Sequence, residues 1–366
     1  MESCKGGIEK MNGLQQLFGQ QAQEQKEKVK MKTKNTQPMK IMITGAAGFV
    51  ASHLVDLCLE NEDEVIGTCR WNEDLSRLNK NIKIEYVELT DLSSLIRAIN
   101  KHRPDIISHL AAQSWVPYSF QNPIYTMETN TIGTLNLLEA VRLIQDIDNK
   151  NEYEIGEGLY YNPLIHICSS SEFYGKVPKE KQPITEQHPT SPMNPYGVGK
   201  VGADLMAQLY EKYYDMRILI TRMFTHTGPR RTMASAECFY AKAIAEIEKG
   251  AKPMIPLGNM KSIRTWRDVR DAVTDYHKLF KTNKTGIYNI SGDTTKSIQE
   301  VLNYLLSLTT YKGEIFMTED KNLLRKIDVD CQYADINKFQ KEIEQTKNYT
   351  FEQTMQDLLN WWRENV

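Results

Sequence analysis

The chain has 366 residues and a formal net charge of −2, with 40% hydrophobic and 25% charged residues. This length is enough for one large α/β unit or two interlocked domains with a substantial core. The nearly balanced charge gives no electrostatic reason to bind nucleic acid or a membrane surface. No apolar run reaches the roughly 18 residues of a membrane span. We therefore expect a globular protein with no nucleic-acid and no membrane partner.

The six cysteines are scattered along the chain, and none forms a Cys-x-x-Cys pair. The seven histidines do not cluster with them, or with one another, at the spacing of metal ligands. Such a pattern is typical of free thiols in a reducing compartment. We therefore expect a cytoplasmic protein without a metal site.

Residues 1–38 differ in composition from the rest of the chain. The stretch 20–34 consists largely of Gln, Glu and Lys, and it lacks the apolar central segment of a secretory signal. We predict a polar, disordered tail that takes no part in the fold.

From Met39 to residue 224, predicted strands alternate with predicted helices. The strands are expected at 40–44, 64–68, 82–89, 105–110, 164–168 and 216–222, and the helices at 52–60, 92–101, 124–144 and 196–212. Residues 145–160 are polar and acidic, and they are predicted to form a surface loop. The alternation predicts a doubly wound parallel α/β sheet, whose strands all present their carboxyl ends at one ligand-binding edge.

Beyond residue 224 the pattern is looser. Helices are predicted at 237–249, 297–308 and 351–363, and a further structured segment at 262–280. We therefore expect residues 39–224 to form a Rossmann-type domain. Residues 225–366 would form mainly a smaller C-terminal α/β substrate-binding domain, with the chain crossing back to the first sheet.

A glycine-rich turn, Gly45 to Ala51, stands between the first strand and the first helix. In that context backbone N–H groups and the helix N-terminus can bind a pyrophosphate, as in dinucleotide sites. The second strand ends in Cys69-Arg70-Trp71 rather than in the carboxylate that would bind the ribose of NAD. Because Arg70 can pair with a 2′-phosphate, NADP is favoured over NAD. Glu88, at the end of the third strand, could contact the adenine.

Tyr196 and Lys200 are four residues apart, so both lie on one face of a helix. A nearby ammonium would lower the pKa of the tyrosine from about 10 toward neutrality. Tyr196 could then serve as acid and base for a hydroxyl proton during hydride transfer. Lys200 would also hydrogen-bond the nicotinamide ribose, and Ser170 would hold the substrate oxygen.

Together these motifs, in this order, resemble the extended short-chain dehydrogenase/reductase superfamily. Within it, the sequence is similar to the GDP-mannose 4,6-dehydratases and the related GDP-4-keto-6-deoxymannose reductases. The resemblance spans about residues 40–365. It is carried by Thr44-Gly-Ala-Ala-Gly48-Phe, His109-Leu-Ala-Ala-Gln-Ser114, Asn130-Thr-Ile-Gly-Thr134, Ser169-Ser-Ser-Glu-Phe-Tyr-Gly175, Asn194-Pro-Tyr-Gly-Val-Gly-Lys200 and Thr227-Gly-Pro-Arg-Arg231.

The resemblance implies a set of site residues. The catalytic group would be Ser170, Glu172, Tyr196 and Lys200, with Ser170 standing where the dehydratases usually have threonine. The dinucleotide would contact Gly45, Ala47, Gly48, Phe49, Val50, Arg70, Glu88, Leu89, Leu110, Ala111, Ala112, Tyr196, Lys200 and His226. The nucleotide sugar would contact Ser114, Thr225, Arg231, Lys242, Gly258, Arg264, Arg325 and Asp328, with Arg264 and Arg325 at the diphosphate.

The leading expectation is a nucleotide-sugar 4,6-dehydratase that returns the hydride within one turnover. A 4-keto-sugar reductase and an epimerase are alternatives, and a non-catalytic dinucleotide-binding regulator is a fourth. The related reductases can also carry Ser-Ser-Glu, so Glu172 does not decide between the two. Gln113-Ser114 with Ser119-Phe120 favours a dehydratase, whereas the run from Trp266 to Asp271 is more like a reductase. Thr225 stands where the family usually has asparagine. The resemblance also implies a homodimer or homotetramer, built through the predicted helix at 124–144 and the one that carries Tyr196.

Overall fold

Strands and helices alternate along the computed structural model, which describes residues 37–155, 161–233, 235–324 and 328–366. The strands in chain order are β1 (Lys40–Thr44), β2 (Glu64–Cys69), β3 (Lys83–Tyr86), β4 (Ile106–His109), β5 (Leu164–Ser170), β6 (Ile218–Met223), β7 (His226–Thr227), β8 (Met254–Leu257), β9 (Ile263–Asp268), β10 (Gly286–Ile290), β11 (Thr294–Ser297), β12 (Phe316–Glu319) and β13 (Cys331–Gln332). The helices are α1 (Phe49–Glu60), α2 (Leu92–His102), α3 (Val116–Gln121), α4 (Pro123–Met127), α5 (Gly133–Ile155), α6 (Pro195–Tyr214), α7 (Ala236–Glu248), α8 (Val269–Thr282), α9 (Ile298–Ser307), α10 (Asn337–Glu342) and α11 (Phe351–Asn365). The predicted polar tail lies outside the described residues up to residue 36.

Seven of these strands form one sheet in the order β10-β6-β5-β4-β1-β2-β3, and every neighbouring pair is parallel. The chain runs outward from β1 through β2 to β3 and then returns to the other side of β1 as β4. A ligand-binding crevice opens at such a reversal, beyond the carboxyl ends of the strands. Thr44 is paired with His109 there, so the turn after β1 and the loop after β4 begin side by side.

Helices cover both faces of this sheet, which is why its inner strands β1, β4, β5 and β6 are almost entirely buried. In β1, Ile41 and Ile43 belong to the core that α1 and α8 share, whereas Met42 belongs to the core under α2, α5 and α6. This alternation is the two-residue period of a strand. The predicted Rossmann-type doubly wound parallel sheet is thus confirmed.

The chain after residue 224 forms a second group of strands and helices and also adds a strand and a helix to the main sheet. In β7, β9, β11 and β13 it forms a second sheet, and β8 pairs with β12. Helices α7, α9 and α11 pack around a core of their own beside these strands. Between these elements, α8 packs against α1, and β10 pairs with β6 at the edge of the main sheet. Residues 39–366 accordingly form one compact unit.

The predicted surface loop at 145–160 is wrong over most of its length, because α5 continues to Ile155. Residues 156–160 lie outside the described residues. Two acidic side chains of α5 form ion pairs, one within the helix and one with a residue outside it. Arg142 contacts Asp146 one turn later at 2.6 Å, and Asp148 pairs with Arg103. The predicted helix at 124–144 is also interrupted, since a π-helical turn at Glu128–Ile132 joins α4 to α5. No helix in the described part of the chain is long and apolar enough to cross a membrane.

A buried ion pair anchors α6 to the main sheet. The guanidinium of Arg222, in β6, donates to both carboxylate oxygens of Asp204, in α6, at 2.9 and 3.0 Å. The Ser169 hydroxyl, in β5, donates to the same carboxylate at 2.7 Å. The two charged side chains are 3% and 0% exposed. The pair therefore fixes the helix that carries Tyr196 to the strand that precedes it and the strand that follows it.

We predict that Arg222→Leu lowers the free energy of unfolding by about 3–5 kcal/mol, because it leaves the Asp204 carboxylate buried without its partner. Urea denaturation measures the change. The control is Arg142→Leu, which removes a cation from a partly exposed pair with Glu139 at 2.8 Å and is expected to cost under about 1 kcal/mol. Equal, small losses in both variants would contradict the anchoring role.

Candidate active site

A cleft of about 1570 Å³ opens at the carboxyl edge of the main sheet. Its walls come from the turn after β1, from the segments that follow β2 to β6, and from residues after 224. A pocket for one small ligand typically has a volume of roughly 300–1,000 Å³. This cleft is therefore large enough for two ligands side by side.

All but two of the predicted site residues in the described part of the chain line this cleft. One exception is Ala47, which packs against the core shared by α1 and the sheet. The other is Lys242, whose ammonium lies 2.6 Å from the Glu246 carboxylate one turn later on α7. Arg325 lies outside the described residues.

The glycine turn has the shape of a phosphate cradle. Gly45 has a φ of +64°, and a Cβ added to it would lie 2.9 Å from the Cα of Ala111. Gly48 is the N-cap of α1, and no side chain caps that helix end. The first N–H groups of α1 therefore stay available to an anion, with the favourable end of the helix dipole behind them.

The four predicted catalytic residues come together at the end of β5 and the start of α6. Ser170 ends β5, and its hydroxyl hydrogen-bonds the phenol of Tyr196. The same oxygen accepts the backbone N–H of Glu172 at 3.2 Å. Lys200 is buried one turn beyond Tyr196, and its ammonium donates to the carbonyl of Cys168 at 2.7 Å. Two hydroxyls, a carboxylate and an ammonium thus share one corner of the cleft.

The expectation that Lys200 lowers the pKa of Tyr196 is wrong for this structure. Burial is the largest effect, and it raises the pKa of the phenol above its usual value of about 10. The Ser170 hydrogen bond and the positive charge of Arg231 act in the opposite direction but are smaller. Burial also lowers the pKa of Lys200. Desolvation of both groups thus outweighs the charge effect expected from their spacing.

Asn194 contacts a predicted catalytic residue, although the sequence motifs gave it no role. Its Nδ2 donates to the Glu172 carboxylate at 2.8 Å, and its Oδ1 accepts the N–H of Gly197 at 2.7 Å. Five aromatic side chains that line the cleft were also missed. They are Trp115, Tyr125, Phe224, Phe239 and Tyr240. No local sequence signal marks these residues, because the packing of distant segments brings them to the cleft.

Two arginines reach the cleft from the second half of the chain. The guanidinium of Arg231 lies 4.9 Å from the centre of the Phe49 ring, against which His226 is stacked. Burial lowers the pKa of His226 to about 3, so this ring is neutral near pH 7. Arg264 lies 3.8 Å from the Asp328 carboxylate, which also accepts the amide of Asn259. Arg231 and Arg264 are the predicted substrate cations that the structure brings into the cleft.

The run from Trp266 to Asp271 has mainly a structural role. Arg267 is buried and donates to Asp275, and Asp268 accepts from Arg270 at 2.7 Å. Of these six described residues, Trp266 lines the cleft. Its indole N–H donates to the carbonyl of Lys296 across the second sheet.

The fold and this site define a member of the extended short-chain dehydrogenase/reductase superfamily. The sequence model of the GDP-mannose 4,6 dehydratase family matches residues 42–358. The chain therefore belongs to that family.

Relatives within the family share moderate identity with this chain. The GDP-mannose 4,6-dehydratase of Yersinia enterocolitica is 34% identical over 246 residues, which cover 64% of this chain and 62% of that enzyme. The GDP-mannose 4,6 dehydratase of Drosophila melanogaster is 26% identical over 348 residues, covering 87% and 84%.

Solved structures share the fold. The dTDP-glucose 4,6-dehydratase DesIV of Streptomyces venezuelae, with NAD and TYD bound, has a TM-score of 0.75 at 24% identity, covering 89% of this chain and 98% of that one. The UDP-glucose 4-epimerase of Thermotoga maritima, with UDP-glucose, has a TM-score of 0.75 at 23% identity, covering 89% and 99%.

We predict that Gly45→Ala weakens binding of the nicotinamide dinucleotide at least tenfold, or by about 1.4 kcal/mol, because the added methyl enters the space between the turn and Ala111. Fluorescence titrations with NADPH and with NADH measure the affinity. Gly250→Ala is the matched control, since Gly250 also has a positive φ, +99°, but nothing lies within 4 Å of an added Cβ. Equal affinities for the two variants would contradict a dinucleotide site at the turn.

Proposed function

We propose that the chain is an NADP-dependent nucleotide-sugar 4,6-dehydratase acting on a GDP-mannose-type substrate. The observation that carries the proposal is the Glu172 carboxylate beside the Ser170–Tyr196 pair. Oxidation of a hydroxyl needs the phenol and the lysine, whereas loss of water from the neighbouring carbons needs a further acid and base. Both sets of groups lie in one corner of a cleft with room for two ligands.

The residues around the glycine turn fit a nicotinamide dinucleotide. Because Gly45 and Gly48 have no Cβ, the turn leaves room for the pyrophosphate close to the backbone. The Lys200 ammonium can hydrogen-bond the nicotinamide ribose. When bound, such a cofactor accepts a hydride from the substrate and returns it. Arg70 lines the cleft beyond β2, where its guanidinium is bonded to the Tyr125 hydroxyl at 3.2 Å. A guanidinium at that position favours the 2′-phosphate of NADP.

Each catalytic residue then has a role in the reaction. The deprotonated form of Tyr196, held by Ser170, accepts the proton of the 4-hydroxyl as carbon 4 is oxidised. The ketone acidifies the hydrogen on carbon 5, which Glu172 removes as a proton and passes to the departing 6-hydroxyl, so that water leaves. Carbon 6, which has lost its hydroxyl, then takes up the hydride that came from carbon 4. Carbon 5 takes up a proton as Tyr196 releases the one it accepted, and the net change is loss of one water.

The substrate side is formed mainly by residues 225–366. Arg231 and Arg264 supply positive charge for a nucleotide diphosphate, because guanidinium groups match phosphate oxygens. Arg325 is proposed for the same role. Ser114, Thr225, Gly258 and Asp328 line the same cleft and complete the proposed substrate contacts.

The 4-keto-sugar reductase stays the second candidate. The charged residues of the run from Trp266 to Asp271, which favoured a reductase in the sequence, pair with protein groups rather than lining the cleft. The proposed elimination needs a carboxylate, and Glu172 supplies one at the cleft corner.

A homodimer through α5 and α6 fits the exposed surface of α6. Val198, Leu205, Leu209 and Tyr213 are 43%, 48%, 52% and 74% exposed, and they recur at helical spacing along α6. A contiguous apolar stripe of this kind is typical of an interface between subunits.

We predict that the purified chain converts GDP-mannose to a 4-keto-6-deoxy sugar with catalytic NADP and no reductant. Tyr196→Phe and Glu172→Gln are expected to lower kcat by about 10²–10⁴-fold, because each removes a proton-transfer group. Parallel series with NADP and NAD test the cofactor preference, and mass spectrometry of the nucleotide sugar detects the loss of water. Turnover that requires stoichiometric NADPH would overturn the dehydratase in favour of a reductase.

A further inference from the structure

We propose that Asn194 is a positioning residue for the elimination step, which it serves by fixing the Glu172 carboxylate to the helix that carries Tyr196 and Lys200. This inference rests on the proposed dehydratase function. It assigns a role to a side chain that is not expected to touch the substrate and that acts through Glu172.

Both ends of the Asn194 amide are engaged. The residue is the N-cap of α6, with an extended backbone at φ −152° and ψ 159°, and its Oδ1 accepts the N–H of Gly197 at 2.7 Å. Its Nδ2 donates to Oε2 of Glu172 at 2.8 Å. An amide has both an acceptor and a donor end, so one planar group links the helix backbone to the carboxylate.

The backbone around Glu172 is fixed independently. Its N–H donates to Ser170, and it lies in a single 3-10 turn, Ser171–Phe173. The Phe173 carbonyl accepts the Thr190 hydroxyl at 2.8 Å and the Ser191 N–H at 3.1 Å, which holds the segment before Asn194 against this turn. With both backbones fixed, the Asn194 bond sets the direction of the carboxylate.

This bond leaves one carboxylate oxygen for chemistry. Oε2 accepts the amide, whereas within the described residues the structure gives Oε1 no hydrogen-bond partner. A general base needs an oxygen that is both aimed and unengaged. Asn194 meets both requirements, since it holds one oxygen and leaves the other for the proton on carbon 5.

Helix capping alone does not explain an asparagine here. Serine and aspartate cap helices about as well. Serine has no second donor for Glu172, and aspartate would place a like charge beside it. The glycine after Tyr196 lets the two segments lie this close together. A Cβ on Gly197 would lie 3.1 Å from the Glu172 carbonyl oxygen and 3.4 Å from the Asn194 Oδ1.

The test compares Asn194→Ser and Asn194→Asp with the unaltered chain, using substrate and NADP in single-turnover experiments. Both variants keep the capping acceptor, so the thermal unfolding midpoint should stay unchanged in Asn194→Ser, whereas repulsion of Glu172 should lower it in Asn194→Asp. Oxidation at carbon 4 should proceed at the parent rate, whereas elimination should slow at least tenfold in Asn194→Ser and further in Asn194→Asp. Reduced cofactor, absorbing at 340 nm, would then accumulate during the turnover, while KM stays near the parent value.

Asp91→Ala is the control for loss of a helix cap. Asp91 caps α2 by accepting the Ser93 N–H at 3.0 Å and does not line the cleft. This variant should lower the unfolding midpoint without any accumulation of reduced cofactor. Asn194→Ser that matches the parent at every step, or slows oxidation and elimination equally, would overturn the role of Asn194. Failure of the unaltered chain to form a keto sugar would instead overturn the proposed function and, with it, the role in elimination.

Discussion

The site depends on a hydrogen-bonded junction between β1 and β4, where the strand order reverses. The Thr44 hydroxyl accepts the N–H groups of both Leu110 and Ala111 at 3.1 Å, and it contacts Nδ1 of His109 at 2.8 Å. Since the hydroxyl oxygen already accepts two hydrogens, its own hydrogen is donated to His109. The ring then donates from Nε2 to Thr134. Burial lowers the pKa of His109 to about 3, in agreement with this neutral ring.

The junction extends toward the catalytic corner. Thr134 donates to the carbonyl of Asn130 at 2.7 Å, and the Asn130 side chain bonds both the N–H and the carbonyl of Gln113. The loop after β4 is thereby held at both of its ends. Because the close approach of Gly45 to Ala111 forms the phosphate cradle, this buried network sets the shape of the dinucleotide side of the cleft. On the other side of the cleft, the Asp204–Arg222 ion pair holds α6, and with it Tyr196, in place on the sheet.

Much of this could be predicted from the sequence, because the signals are local. The strand at Lys40–Thr44, the glycine turn and the Tyr196–Lys200 spacing each depend on a few consecutive residues. The helix from 145 to 155 was missed since Asp146 and Asp148 are paired with Arg142 and Arg103, and local composition does not show such pairing. The link between Asn194 and Glu172 joins residues 22 positions apart, and desolvation of Tyr196 depends on the whole cleft. These features follow from tertiary packing.

In the proposed mechanism, Tyr196 and Lys200 serve the oxidation and the Glu172 carboxylate serves the elimination, and both steps occur within one turnover. The most direct test uses GDP-mannose carrying deuterium at carbon 4. The account predicts that the deuterium appears at carbon 6 of the keto product, in the same molecule and without dilution by unlabelled NADPH in solution. Deuterium that is lost to the free cofactor, or a product whose carbon 6 still bears its hydroxyl, would contradict it.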